Sequence, residues 1–364
     1  MADRGTATVP AGVRLLQSVR TVMPEDRSGE LLRQSAVMRA IGSPFVAEVL
    51  AAAARQLASA PLTRALLADW PGDPAAAAVA MRLNAALHAL ARRNTPPVLG
   101  ALYRGAHRDF DGAVRAALLA HDAFIARWLR DMPQTNEVGR AGAILGALME
   151  VVGRAALPVE LIELGSSAGL NLNLARYRYD LGGVGAGPAD SPVRIAPEWR
   201  GAAAPDRAVD VVAAEGVDLD PLDPHDPATC ERLMAYVFAD QPARAARLAA
   251  ALAVARQHPP RVARADATTW LAHRLAAPQP AGRWRVIFHS MMAQYVDAAA
   301  RASLERCIAD AGARADADRP LARIAFEWDA TRSAVELRLS CWPGGDTRVL
   351  ATCHPYGAWI DWIG

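Results

Sequence analysis

At 364 residues, 52% hydrophobic and 21% charged, the chain is long enough for two domains or for one with a large appendage, and its make-up is that of a globular protein rather than a fibre. It contains no lysine, so all 40 basic residues are arginine; this excludes phosphate-loop NTPases, protein kinases and pyridoxal-phosphate enzymes, each of which needs a lysine at its working position. The formal charge of +2, with arginines interspersed among acids, leaves no sustained basic tract for a nucleic-acid partner.

The segment from Met1 to Arg20 lacks a basic stretch followed by an apolar run, and no later stretch approaches the roughly 20 apolar residues that span a bilayer. The four cysteines, Cys230, Cys307, Cys341 and Cys353, have no metal-ligand spacing, so reduced thiols, a cytoplasmic location and no membrane partner are expected. From Val13 to about Ala155 the chain is alanine- and leucine-rich with helical periodicity, predicting a helical N-terminal domain over residues 1–155. Ser43-Pro44 should open a helix over Phe45 to Leu57, and Asp73-Pro74 one over Ala75 to Arg93. Val79, Leu83, Leu87 and Leu90 share one face, as do Val114, Leu118, Ile125 and Trp128 in the next long helix; both stripes read as core. A last helix starts near Thr135-Asn136-Glu137, includes Arg140, Ile144 and Leu148, and ends against Pro158.

The pattern then changes. Val159, Leu161, Ile162 and Leu164 form a short apolar run ending in glycine, as a buried parallel strand does. After an irregular Gly/Pro-rich insertion at about 179–208, strand-like runs at Val209 to Val217, Arg261 to Ala265, Val286 to Phe288 and Ile324 to Phe326 alternate with helical runs at Leu233 to Ala255, Thr268 to Leu275 and Ala299 to Ala311. This alternation predicts an α/β domain over 156–364 with a parallel sheet and crossover helices. Val335 to Cys341 and Arg348 to Cys353 flank the turn Pro343-Gly344-Gly345-Asp346, predicting an antiparallel C-terminal hairpin.

The turn Glu163-Leu164-Gly165-Ser166-Ser167-Ala168-Gly169-Leu170-Asn171 lies between the first strand and an apolar helix bearing Leu170, Leu174 and Tyr177. Small residues there let backbone approach a ligand, free amides at the helix start favour an anionic or polar group, and the Glu163 carboxylate can accept from an ammonium or hydroxyl. Three chemistries use such a turn. The acid-x-Gly-x-x-x-Gly spacing of Glu163, Gly165 and Gly169 resembles class I S-adenosylmethionine-dependent methyltransferases, with Ser167 where a middle glycine is frequent. A dinucleotide oxidoreductase needs an acid about 20 residues beyond the turn, whereas Asp218 lies much farther along. The pattern Gly165-Ser166-Ser167-Ala168-Gly169 also fits the nucleophile elbow of serine hydrolases, with Ser167 as nucleophile and His354 as base, although that fold places strands before the elbow and here the preceding segment reads as helical.

Glu-x-Gly-x-Ser-Ala-Gly-Leu-Asn followed by Arg-Tyr-x-Tyr is similar to the turn of an uncharacterised bacterial family of unknown function. The resemblance runs from about Ser43 to Trp362 through Thr135-Asn136-Glu137 with Arg140, Tyr177 and Tyr179, Gly216 to Asp223, Asp240-Gln241, Asp266-Ala267, His289-Ser290 with Tyr295, and His354-Pro355-Tyr356-Gly357. It implies a Rossmann-like, methyltransferase-type fold and no established substrate. The methyltransferase resemblance implies S-adenosylmethionine as cofactor, bound by Glu163, Gly165, Ser166, Ser167, Gly169 and Asn171, with Asp218 on the ribose, Asp266 toward the adenine and Arg140 on the carboxylate, and an unknown small-molecule acceptor.

His289 and Ser290 end a central strand where ligands collect in open α/β sheets. His289 could take a proton from an acceptor, or simply bond backbone; Glu327 ends the next strand and is a second catalytic candidate, or a salt-bridge partner. Ser290, Tyr295 and His354 are candidates for the acceptor side. Asp218, Asp220, Asp223 and Asp226 read as helix and turn caps rather than a cation site. A non-catalytic ligand-binding scaffold is the remaining alternative.

Overall fold

A computed structural model describes residues 28–364; the readings of Met1 to Arg20, and of Val13 to residue 27 as helical, lie outside the described residues. The chain divides into two compact units, one of residues up to 134 together with 231–242, the other of 135–230 with 243–364.

Within its described residues the first unit is helical: α1 (Ser28–Ala40), α2 (Pro44–Gln56), α3 (Pro61–Ala68), α4 (Val79–Arg92), α5 (Pro97–Tyr103) and α6 (Phe110–Arg130). Val79, Leu83, Leu87 and Leu90 of α4, and Val114, Leu118 and Ile125 of α6, are buried as their periodicity requires, while Trp128 is half-buried. Two local starts differ from expectation. Residues 75–78 form a turn on the Asp73 side chain, which accepts from Ala75 N, and α4 begins only at Val79. Ser43 holds the cap position of α2 without a capping bond; its Oγ accepts from Gln241 Nε2, and Asp240 Oδ2 accepts from Phe45 N, so the 231–242 segment supplies the cap.

The second unit carries α7 (Ala141–Arg154), β1 (Val159–Leu164), β2 (Arg178–Leu181), β3 (Val184–Ala186), β4 (Arg194–Ile195), β5 (Glu198–Gly201) and β6 (Val211–Asp218). The chain leaves through α8 (Pro227–Ala235) and returns through α9 (Pro242–Gln257), so the single helical run read over Leu233 to Ala255 is two helices interrupted before Pro242, whose ring cannot sit inside a helix. Then follow β7 (Val262–Arg264), α10 (Ala267–Ala276), β8 (Trp284–Ser290), α11 (Ala298–Ala313), β9 (Leu321–Trp328), β10 (Val335–Trp342), β11 (Asp346–Cys353) and β12 (Trp359–Trp362).

The main sheet has the order β5-β12-β11-β10-β9-β8-β1-β6-β7. From β9 to β7 neighbours are parallel; β10, β11 and β12 add on as an antiparallel meander. The mixed α/β class with a large, mostly parallel sheet is as read. The C-terminal end is larger than one hairpin, because β12 extends the meander and β5 pairs with it in parallel. The insertion is likewise more regular than its Gly/Pro content implies: it folds into a small sheet, β3-β2-β4, plus that edge strand.

β1 is buried along its whole length, and alternation divides its side chains between two faces. Ile162 and Leu164 pack with Ile287, Leu271, Leu275, Leu304 and Ile308, the face covered by α10 and α11. Glu163 therefore points to the opposite face. There α7 lies against β9 and β10, coming close through Gly146, where a Cβ would stand 3.1 Å from the Trp362 ring.

Candidate functional site

The turn after β1 is built from left-handed residues: Gly165 has φ +70°, Ser167 +55° and Gly169 +68°. The glycines are needed by protein neighbours. A Cβ on Gly165 would meet Met292 Cβ at 2.8 Å, and one on Gly169 would meet Pro260 Cβ at 2.5 Å. No α-helix follows; residues Leu170–Arg176 form 3-10 turns, held by Tyr177 and Tyr179, whose hydroxyls donate to Leu170 O (2.5 Å) and Leu174 O (2.7 Å).

The expectation of free amides at this turn is overturned. Gly165 N and Ser166 N donate to Val217 O (2.9 and 3.1 Å) and Gly169 N to Ser166 O (2.7 Å). Ser167 N donates to Asp218 Oδ2 (2.8 Å), and Ala168 N and Leu170 N both donate to Asn136 Oδ1 (3.1 and 3.2 Å). Buried amides must be paired, and here the second strand's terminal acid and a preceding loop pair them.

The turn's unpaired atoms are instead acceptor-capable side-chain oxygens. Glu163 Oε2, Ser167 Oγ and Asn171 Oδ1 are buried and bond to no protein group. Burial, reinforced by the nearby negative charge of Asp218, raises the Glu163 pKa well above 4.5, although Ser166, Asn171 and Arg140 act the other way. Ser166 Oγ donates to the Glu163 carbonyl at 3.0 Å, and Gly216 makes room for it, since a Cβ there would lie 2.0 Å from that hydroxyl.

Next to the turn, Glu137 caps the 3-10 segment Val138–Arg140 by accepting from Gly139 N (2.9 Å). Its other oxygen accepts from Arg244 Nε (2.8 Å), with Arg247 3.4 Å from the first. Burial pushes this carboxyl up, but Arg244 and Arg247 outweigh it and leave the pKa below its usual value. Arg140, only 5% exposed, donates through Nε to Pro355 O (2.9 Å) and through Nη1 to Ser290 O (3.2 Å), tying the end of β8 to the 354–357 turn. Burial lowers its pKa. His354 lies in that turn, where its Nδ1 accepts from Tyr356 N (3.2 Å) and burial lowers its pKa to about 4.

Residues 29–362 match the model of a family described as "Uncharacterized protein conserved in bacteria (DUF2332)". The chain belongs to this family. No curated protein and no solved structure matches it. The family's span takes in every candidate site residue, from Arg140 to His354.

Not all of those candidates come together. Glu163, Gly165, Ser166, Ser167, Gly169, Asn171 and Asp218 surround one turn, with Arg140 and Ser290 on the same face of the sheet. His289 points to the α10/α11 face, one residue out of phase with Ser290. Its Nδ1 lies 2.7 Å from Glu327 Oε1, and Arg323 lies 3.1 Å from its Nε2. Glu327 Oε1 also accepts from Met292 N and Ala293 N, so the two catalytic candidates form a buried pair that fixes the loop after β8. Asp266 caps α10 through Thr269 N (3.0 Å), and Tyr295 ends a partly exposed 3-10 segment, Ala293–Tyr295. Asp226 caps the start of α8 through Ala228 N and Thr229 N, and Asp223 accepts from His225 N.

Three residues outside the sequence reading matter here: Arg244 and Arg247, which clamp Glu137, and Arg323, which bonds His289. Arg323 was within reach of it, since strand alternation puts residues 323 and 327 on one face. The two α9 arginines had no such signal, being one pair among 40 basic residues.

Proposed function

We propose that the second unit binds S-adenosylmethionine at the carboxyl ends of β1 and β6 and transfers its methyl group to a small-molecule acceptor. The observation that carries this reading is Glu163 Oε2, a buried carboxyl oxygen without a partner at the end of the first strand. A buried polar group without a partner costs roughly 1–3 kcal/mol, and Glu163 Oε2, Ser167 Oγ and Asn171 Oδ1 call for a ligand that presents N–H or O–H donors. An α-ammonium and ribose hydroxyls are such donors.

The sheet supports the same reading. Ranked by chain position, the parallel strands β7-β6-β1-β8-β9 run 3-2-1-4-5, the order of a doubly wound nucleotide-binding sheet, whose ligands lie outside the carboxyl ends where the order reverses. Asp218 ends the second of them; each of its oxygens accepts one backbone amide, from Ser167 and Asp220, and retains a lone pair for a hydroxyl. The residues therefore fit the cofactor: Glu163 and Asn171 hold its ammonium and Asp218 its ribose. The cofactor supplies a methyl group already activated on a sulfonium. The chain's work is alignment and exclusion of water.

Two other readings are less well supported. The pyrophosphate of a dinucleotide needs amide donors, and those of residues 165–170 are engaged. A Ser167 nucleophile needs an imidazole at its Oγ, which bonds to no group, while His354 accepts from Tyr356 N and His289 is held by Glu327 and Arg323. Calorimetric titration with S-adenosylmethionine and S-adenosylhomocysteine, with NAD as control, tests the proposal. Saturable binding of the sulfur nucleotides alone supports it; a folded protein that binds neither, or that is labelled at Ser167 by a fluorophosphonate, overturns it.

A further inference from the structure

We propose that Ser167 is a specificity-determining residue: its hydroxyl and the Asp218 carboxylate together read one ribose hydroxyl, so the site takes a ribonucleoside and rejects the deoxy counterpart. This rests on the cofactor reading above and gives a role to a side chain that the fold itself does not use. Of the turn's left-handed positions, Ser167 alone is not glycine, at φ +55° beside +70° for Gly165 and +68° for Gly169. A β-carbon is strained in that region and glycine is not.

Ser167 N donates to Asp218 Oδ2 (2.8 Å) and its carbonyl accepts from Leu222 N (3.2 Å), bonds that a glycine would make equally well. The residue is only 5% exposed, and its Oγ is buried without a partner. A buried hydroxyl lacking a hydrogen bond is a second cost beside the strained backbone, and strain of this kind collects at ligand-binding positions. The donor pattern points to the sugar. Asn171 Oδ1 only accepts, which suits an ammonium, whereas a serine hydroxyl both donates and accepts. A ribose hydroxyl that donates to Asp218 keeps lone pairs of its own to accept from Ser167. The bond from Ser167 N to Asp218 Oδ2 holds the two residues side by side, and Asp218 is half-buried, so the ribose meets the pair from the solvent side. A deoxy sugar leaves both groups unpaired, the loss by which a polar site rejects an analogue most strongly.

The test is calorimetry of S-adenosylhomocysteine and its 2′-deoxy and 3′-deoxy counterparts against the whole protein, for wild type, Ser167→Ala and Ser167→Gly, with thermal unfolding of each ligand-free protein. Wild type should bind the parent roughly tenfold or more tighter, about 1.4 kcal/mol, than one of the deoxy compounds. Ser167→Ala, which removes only the hydroxyl, should bind the parent about tenfold more weakly and shrink that discrimination by a similar factor. Both variants should unfold at or above the wild-type temperature when free of ligand, since neither loses a hydrogen bond within the protein. A lower midpoint for Ser167→Ala would mean that the hydroxyl has a protein partner, and unchanged affinity and discrimination would mean that it touches no ligand; either overturns this inference and leaves the cofactor reading standing. A folded wild type that binds none of the three compounds removes that reading, and this inference with it.

Discussion

Asn136 Oδ1 stands 3.1 Å from the backbone nitrogen of Ala168 and accepts from Leu170 N as well, so one side chain closes the turn after β1. Asn136 has φ +35°, a conformation asparagine tolerates better than most residues. Asn136→Ala leaves two buried amides unpaired and should cost about 2–4 kcal/mol, read from urea unfolding. Asn136→Asp keeps the acceptor and should lose less than half as much; equal losses would mean that the carbonyl oxygen is not what matters.

Glu137 is buried between Arg244 and Arg247. Removing one partner of a buried ion pair strands the other charges, so Glu137→Gln should lose about 3 kcal/mol at neutral pH. Because the folded-state pKa lies below the usual 4.5, this stabilisation is present above that value and disappears as pH falls through the folded pKa. Unfolding curves for wild type and variant should converge in acid. A constant gap across that range would show that the loss is one of packing rather than charge.

The opposite slope belongs to Glu163. Its folded-state pKa is raised above 4.5 by burial first and Asp218 second, so the folded state holds a proton that the unfolded chain releases. That contribution is complete below 4.5 and is lost as pH rises toward the folded value. Glu163→Gln, which mimics the protonated carboxyl, should remove this fall in stability with rising pH while leaving the fold intact. Parallel pH profiles for wild type and variant would show that Glu163 is ionised in the folded state.

At His289, the bond to Glu327 Oε1 and the guanidinium at Nε2 require the neutral tautomer with hydrogen on Nδ1. Nitrogen chemical shifts of the ring at neutral pH should report that form. In Glu327→Ala the Nδ1–H form should persist, because the Arg323 guanidinium still donates to Nε2, while stability should fall by roughly 2–4 kcal/mol because Met292 N and Ala293 N lose their acceptor. An Nε2–H tautomer in the wild type would refute the assignment.

Much of the sheet was legible in the chain because β1, β8 and β9 are short apolar runs separated by amphipathic helices, a pattern that parallel strands impose. Glu163, Gly165 and Gly169 were legible from motif spacing, whereas Asp218 was joined to them only through the resemblance to methyltransferases, which places an acid at the end of the second strand. What was hidden came from contacts distant in sequence. The free amides expected at Ala168 and Leu170 are bonded to Asn136, more than 30 residues earlier, and no local pattern announces that. The pairing of β5 with β12 joins segments with weak strand signals of their own, so the edge of the sheet could not be read from periodicity. His289 and Glu163 both sit near the ends of central strands, and only the register of β1 against β8, with Leu164 opposite His289, puts them on different faces.

The most direct test of the central claim is the proton balance of S-adenosylmethionine binding, measured by calorimetry in buffers of different ionisation enthalpy. If the ammonium of the cofactor meets Glu163, the buried carboxyl ionises on binding and wild type should release about one proton per cofactor bound at a pH below its folded pKa, while Glu163→Gln should bind more weakly and release none. Binding with no proton release, and with the same affinity in Glu163→Gln, would contradict the account.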